Sequence, residues 1–318
     1  MDTMQLIIDI INALLTILIL KSKRMNTPVF PCLGAVIGDT VGSIYEFNNI
    51  KTTDFPLFSD ISRPTDDSVM TMAVAEWLLT DADRSQIKLE ESMVRWAHLI
   101  PNIGYGPSFK DWLFCPYYKN MDLYAPHIKA GEKPEEIIRM AGIRRPYYSW
   151  GNGSAMRVSA CGWVARTMDE AIDLARRSAI ITHNHPEGIR GAEATAAAIF
   201  LALHGADKEK IRSYIEERFY YDLHTSCDEI RTRYGWDVSC QGTVPPAIVA
   251  FLDSHDFVSA IRLAVSLGGD SDTLACITGG IAQAYYKEIP DEIIEEMRMR
   301  LPRVFWDVMN KLAKVNEK

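Results

Sequence analysis

The sequence predicts an all-α fold, and three observations carry that prediction. After residue 30 nearly every periodic segment has its apolar residues at helical spacing. Alternating runs of period two are almost absent. Acidic, proline and glycine signals mark the ends of several periodic segments. No repeat, low-complexity tract or Ser/Gly linker divides the chain, so residues 25–318 are read as one domain.

Taken in order, the first segment stands apart. "LIIDIINALLTILIL" (6–20) is followed by "KSKR". It is short and polar for a membrane span, and no Lys or Arg precedes it, whereas a secretory signal needs a positively charged start. Gln5, Asp9, Asn12 and Thr16 form a narrow polar stripe at helical spacing. Anchoring at a membrane surface, packing on a partner, and an extension upstream of a start at Met25 all fit. The last is favoured, because the globular pattern begins just beyond Met25, so residues 1–24 are set aside as a hydrophobic leader.

"SVMTMAVAEWLL" (68–79) is apolar on almost every side and predicts a buried helix. The stretch from 100 to 150, with Pro, Gly and many aromatics, reads as loop elaborated over a site. Helices are predicted over 169–182, 186–205 and 207–219, opening on acidic residues or Pro186. Residues 225–246 read as a long non-helical patch. A helix over 256–269 stops at glycine. "TLACITGGIAQAYY" (273–286) has small residues at 275, 279, 280, 282 and 284, which admit close neighbours and predict a central helix. Pro302 should break the last long segment.

Composition limits the function classes. The chain has 318 residues, 47% hydrophobic and 24% charged, enough to bury a large core without disulfides. A net charge of −8 argues against a nucleic-acid-binding stripe. The six cysteines show no C-x-x-C spacing and read as free thiols in a reducing compartment, hence a cytoplasmic protein. Membrane association is expected only if the leader anchors.

Two acidic clusters carry the chemistry. Thr65, Asp66 and Asp67 directly precede one apolar helix, and Asp270, Asp272 and Thr273 another. Helix capping accounts for one acid or hydroxyl at each helix start. Two acids and a hydroxyl, twice, exceed it. Magnesium takes oxygen ligands, and two ions would neutralise the four carboxylates. An EF-hand calcium loop does not fit, because the third acid, the turn glycine and the distal glutamate are missing. "SWGNGSAMR" (149–157) holds a Gly-Asn-Gly turn whose amides could face a diphosphate. "THNHPEG" (182–188) places His183 and His185 in a loop, and His185 is read as a hydrogen-bonded loop residue.

"GAVIGDTVGSIYEF" (34–47), "TDDSVMTMAVAEWLL" (65–79), "GNGSAMRV" (151–158), "THNHPEGIRGAEATAAA" (182–198) and "GGDSDTLACITGGIAQAYY" (268–286) occur in the order seen in the ADP-ribosylglycohydrolases, and the chain closely resembles that family from about residue 30 to 290. The resemblance implies a compact single-domain orthogonal helical bundle with a binuclear magnesium centre, Mn2+ being a substitute. Thr65, Asp66, Asp67, Asp270, Asp272 and Thr273 match its metal ligands. Glu46 matches a mobile-loop glutamate near the metals, and Asp39 a residue supporting the ligands. Glu46 or Asp272 would take the proton from water. Gly104, Tyr105 and Gly106 match a flexible loop beside the ligand. Ser149, Trp150, Gly151, Asn152, Gly153 and His183 match positions along ADP-ribose. Trp112, Tyr117 and Tyr118 either line the acceptor pocket or pack the loop. The implied reaction is hydrolysis of the bond between ADP-ribose and an acceptor, on an ADP-ribosylated protein or a small ADP-ribose derivative. A magnesium-dependent phosphohydrolase and a non-catalytic ADP-ribose binder are the rival readings.

Overall fold

The computed structural model describes residues 30–114 and 144–316. The leader 1–24 and the pair Tyr117 and Tyr118 lie outside the described residues. The described residues contain fourteen α-helices, a single 3-10 turn and no named strand. The helices are α1 (Leu33–Gly42), α2 (Asp66–Thr80), α3 (Gln86–Leu99), α4 (Pro107–Phe114), α5 (Ser159–Val164), α6 (Met168–Ile180) and α7 (Pro186–Leu203). They continue with α8 (Lys208–Phe219), α9 (Cys227–Arg233), α10 (Cys240–Asp253), α11 (Phe257–Ser266), α12 (Ser271–Tyr286), α13 (Asp291–Arg300) and α14 (Arg303–Asn316). The fold is all-α, as the periodicity predicts. Among these helices none is long and apolar enough to cross a membrane.

The predicted central helix is α12, surrounded by α1, α7, α10 and α11. Its small residues explain the arrangement. A Cβ on Gly34 would lie 2.3 Å from the Gly279 carbonyl oxygen, one on Gly38 1.9 Å from that of Ala275, and one on Gly42 2.4 Å from the Asp272 Cα. Spacing of four residues puts the three glycines on one face of α1. The two helices therefore touch backbone to backbone, and the Gly34 amide donates to the Gln283 Oε1 at 2.8 Å. All ten residues of α1 are buried. Gly38→Ala should force the seam apart, at a cost of about 3 kcal/mol, lowering Tm by about 10 °C. Gly235→Ala, whose Cβ would meet nothing within 4 Å, serves as the control, and thermal melts of both variants check the pair. An unchanged Tm in Gly38→Ala would refute the close seam.

Residues 225–246 depart from the sequence expectation, since α9 and the start of α10 lie there. Two local devices account for it. Ser226 and Glu229 close a capping box on α9, and the Ser239 side chain caps α10. Pro245 and Pro246 sit inside α10, where proline removes a helix donor. The carbonyl that Pro246 leaves unpaired, on Gly242, accepts instead from the Tyr234 hydroxyl at 2.9 Å. Pro302 does end α13, as predicted, and α14 follows directly.

Candidate metal centre and ligand cleft

The α1–α12 seam fixes the floor of the site. Asp39 leaves α1 fully buried and faces the N-terminus of α2. Its Oδ2 accepts the Thr65 and Ser68 amides at 2.9 and 3.0 Å, and its Oδ1 the Thr65 hydroxyl at 2.6 Å. The Ser68 hydroxyl donates to it as well. An anion is stabilised there by the exposed amides of the helix start. Across the seam, Gly268 and Gly269 both have positive φ, near +73° and +72°. Only glycine adopts two such residues in succession without strain, and this turn delivers Asp270 and Asp272 at the start of α12.

The carboxylates converge as two groups. Oxygen atoms from Asp39, Asp67 and Asp272 lie within 4.8 Å of one another, and so do those from Glu46, Asp270 and Asp272. Asp272 belongs to both. Thr65 reaches Asp272 through its hydroxyl at 3.4 Å, and the Thr273 amide donates to the Asp272 Oδ1 at 2.9 Å. Asp66 stands at the half-buried edge beside Gly104, where a Cβ would come within 3.0 Å of its Oδ1.

Crowding shows in the proton affinities. Burial, then repulsion from Asp270 and Asp39, raises Glu46 to about 7. Burial and Asp39 raise Asp66 to about 8. Asp39 rises to about 6 through burial, despite its hydrogen bonds from Ser68 and Thr65. Asp67 and Asp272 are pushed well above the usual carboxylate range, by burial and by neighbouring acids. The Asp67 Oδ1 is buried with no hydrogen-bond partner. Buried carboxylates are stable only when paired or bound to a metal, and this set of hard oxygen donors fits a divalent cation.

The loop before α5 closes one side. The Asn152 Nδ2 donates to Asp270 Oδ2 at 2.6 Å and to the Thr243 hydroxyl at 3.1 Å, so this asparagine orients an acid of the cluster. Gly151 pairs with Ser239 in an isolated bridge. The Gly151 amide donates to the Ser149 Oγ at 3.1 Å and the Asn152 amide to the Val238 carbonyl at 2.8 Å. Two of the three amides expected to face an anion are thus already bonded within the protein. Gly153 lies over His183, where a Cβ would stand 3.2 Å from the Nε2. His183 is buried, with Nδ1 held at 2.7 Å from the Thr182 hydroxyl. Burial and the Arg157 cation push its pKa well down, leaving a neutral ring. Trp150 is exposed and packs edge-on against His185, whose Nδ1 accepts from the Glu187 amide as an α7 cap. His185 is therefore the hydrogen-bonded loop residue the sequence reading expects.

In the loop before α4, Tyr105 packs against Phe109 and Phe114 and donates its hydroxyl to the Ile100 carbonyl at 3.1 Å. The Gly106 carbonyl begins the hydrogen bonding of α4, accepting from Lys110. Trp112 is buried and stacks on Phe109 at 5.7 Å. Of the two readings left open for it, packing is the one realised. Asp39, expected to support the ligands, holds Thr65 and Ser68 through four hydrogen bonds, and one of its oxygens also lies within 4.8 Å of Asp67 and Asp272.

The profile of the ADP-ribosylglycohydrolase family matches residues 32–318. The chain belongs to the ADP-ribosylglycohydrolase family. Membership makes it a hydrolase of glycosidic bonds. It is 27% identical to mouse (Mus musculus) ADP-ribosylhydrolase ARH3, covering 82% of this chain and 84% of that one. It is 25% identical to the ADP-ribosylarginine hydrolase Tri1 of Pseudomonas putida (strain GB-1), covering 90% and 78%. Its fold matches a solved ADP-ribosylglycohydrolase-related protein complex with a TM-score of 0.63, at 24% identity and over 91% of this chain and 96% of that one.

Proposed function

We propose that the chain is a magnesium-dependent hydrolase that cleaves the bond joining C1 of the distal ribose of ADP-ribose to an acceptor. The acceptor is a modified protein side chain or a small leaving group. The observation that carries this is the pair of carboxylate groups sharing Asp272, set beside the Gly-Asn-Gly loop through the bond from Asn152 to Asp270. Two Mg2+ ions, replaceable by Mn2+, would be held by Thr65, Asp66, Asp67, Asp270, Asp272 and Thr273, with Asp272 shared between the two carboxylate groups. Asp39, whose oxygens accept from Thr65 and Ser68, would hold the Thr65–Asp67 segment in place. Bound ions supply Lewis-acid polarisation and a lower pKa for water.

The chain's own residues supply the rest. Asp272 is buried between both groups and bonded to Thr65 and Thr273. Glu46 is only half-buried, so water can reach it. That favours Glu46 as the group taking the proton from water while oxocarbenium character grows on the ribose. The neutral His183, Gly153, Ser149 and Trp150 form the wall along which the diphosphate and adenosine would lie, with Gly104 and Tyr105 opposite.

ADP-ribose release from arginine- and serine-linked peptides, with Mg2+ and with chelator, tests the reading. A parallel phosphate-release assay covers the phosphohydrolase alternative. Phosphate release without ADP-ribose release would overturn the proposal. Gly153→Val should displace the His183 ring and weaken ADP-ribose binding roughly 10–100-fold. Calorimetry should show Mg2+ binding unchanged in the same variant. Wild-type ADP-ribose affinity in Gly153→Val would move the diphosphate elsewhere.

A further inference from the structure

Glu46 lies in an irregular turn after α1, with no helix or strand to fix it. One side chain three residues on does so. The Asn49 Nδ2 faces the Tyr45 and Glu46 carbonyls, both at 2.8 Å, and the Gly269 carbonyl at 2.9 Å. Its Oδ1 accepts the Gly269 amide at 2.7 Å. A single carboxamide thus joins the Glu46 turn to both main-chain polar groups of the residue before Asp270, across 220 positions of sequence. Lys51 reinforces the join, donating to the Leu267 carbonyl and, at 2.7 Å, to that of Tyr234. Tyr45 is held independently, through its hydroxyl to the Pro56 carbonyl at 2.9 Å and its ring against Phe55. Among the described residues, Asn49 supplies the side-chain hydrogen bond to the Glu46 main chain.

We propose that Asn49 is a positioning residue that sets the separation between the Glu46 carboxylate and the Asp270–Asp272 pair. It touches no reacting atom and acts through Glu46, so its role rests on the reading of Glu46 given above. Asn49 is exposed at the surface, and a surface asparagine needs no internal partner for its own solvation. Its donor and acceptor atoms are nevertheless both turned inward onto main-chain groups of the two loops that carry the acids. The arrangement ties the two loops together beyond the α1–α12 seam and the Ser271 hydroxyl, which reaches the Tyr45 carbonyl at 3.5 Å.

A double-variant cycle tests the assignment. Displacing a reacting group by about 1 Å costs about 10²-fold. Asn49→Ala should therefore lower kcat for ADP-ribose release roughly 30–100-fold with KM within about threefold. Amide hydrogen exchange should rise in residues 45–50 and 267–270, and Tm should stay within about 3 °C, as for other surface changes. Asn49→Ala added to Glu46→Gln should reduce kcat no further than Glu46→Gln alone, because the positioned group is already disabled. Wild-type kcat in Asn49→Ala overturns the proposal, and so does an additive loss in the double variant. If Glu46→Gln itself turns over at the wild-type rate, the reading of Glu46 falls first and Asn49 falls with it. A slow Glu46→Gln beside an additive double variant removes only the role of Asn49.

Discussion

Asp272→Asn should lose about 10³-fold or more in turnover while remaining folded, since Lewis-acid contributions amount to several kcal/mol and each 1.36 kcal/mol is tenfold. The carboxylate belongs to both groups, so one substitution would weaken both of the proposed cation sites together. The change also has an unusual stability consequence. Burial, then Asp270 and Asp67, push the Asp272 carboxyl well above its ordinary range. Replacing it by a neutral side chain of the same shape relieves that repulsion when no cation is present. Metal-free Asp272→Asn should therefore melt at or above the metal-free wild type, and added Mg2+ should raise its Tm much less. ADP-ribose release and thermal melts with and without Mg2+ check both halves. Wild-type turnover in saturating Mg2+ would show that Asp272 is not a ligand.

Chelation should make the stability of the wild-type protein fall as pH rises, the reverse of the behaviour of salt-bridged carboxylates. In the unfolded chain, carboxyl groups lose their protons near pH 4. In the folded, metal-free chain Asp39 holds its proton to about 6, Glu46 to about 7 and Asp66 to about 8, burial being the leading cause in each. Between these limits the native state binds more protons than the unfolded state. The slope of unfolding free energy against pH is then negative. Stability present below about pH 4 is lost progressively up to about pH 8. Bound Mg2+ replaces the protons and should flatten the slope. Urea midpoints at about pH 5 and about pH 8, with chelator and with Mg2+, measure it. A chelated protein whose midpoint is unchanged or rises would contradict the crowded-carboxylate picture.

Much of this was readable from short stretches of sequence. Periodicity and caps placed α2, α6, α7, α8, α11 and α12 within a few residues, and the small residues of 273–286 marked the central helix. Thr65, Asp66, Asp67, Asp270, Asp272 and Thr273 stand at helix starts, where the surplus of acids is visible locally, and the fold brings Asp67, Asp270 and Asp272 into the carboxylate groups. The place of Asp39 is less legible, for the opposite reason. It lies within an apolar helix, and its partners Thr65 and Ser68 are 26 and 29 residues away. The bond from Asn152 to Asp270 spans 118 residues and that from Asn49 to Gly269 spans 220, distances at which no local pattern signals contact. Residues 225–246 were misjudged because two successive prolines outweighed the Ser226 and Ser239 caps, and the Tyr234 bond that accommodates them is tertiary.

The glycine seam also sets an order of events during synthesis. Gly34 and Gln283, bonded in the finished protein, are 249 positions apart. On the ribosome, α1 emerges long before the helix that covers it. Its ten residues, all buried at the end, must wait in water or against a temporary partner until nearly the whole chain has been made. Contacts of such long range are formed late and slow folding. The centre that depends on them cannot assemble in a nascent chain that lacks α12. A chain truncated anywhere before Ser271 would lack α12 and with it Asp272, so the two carboxylate groups could not form in it.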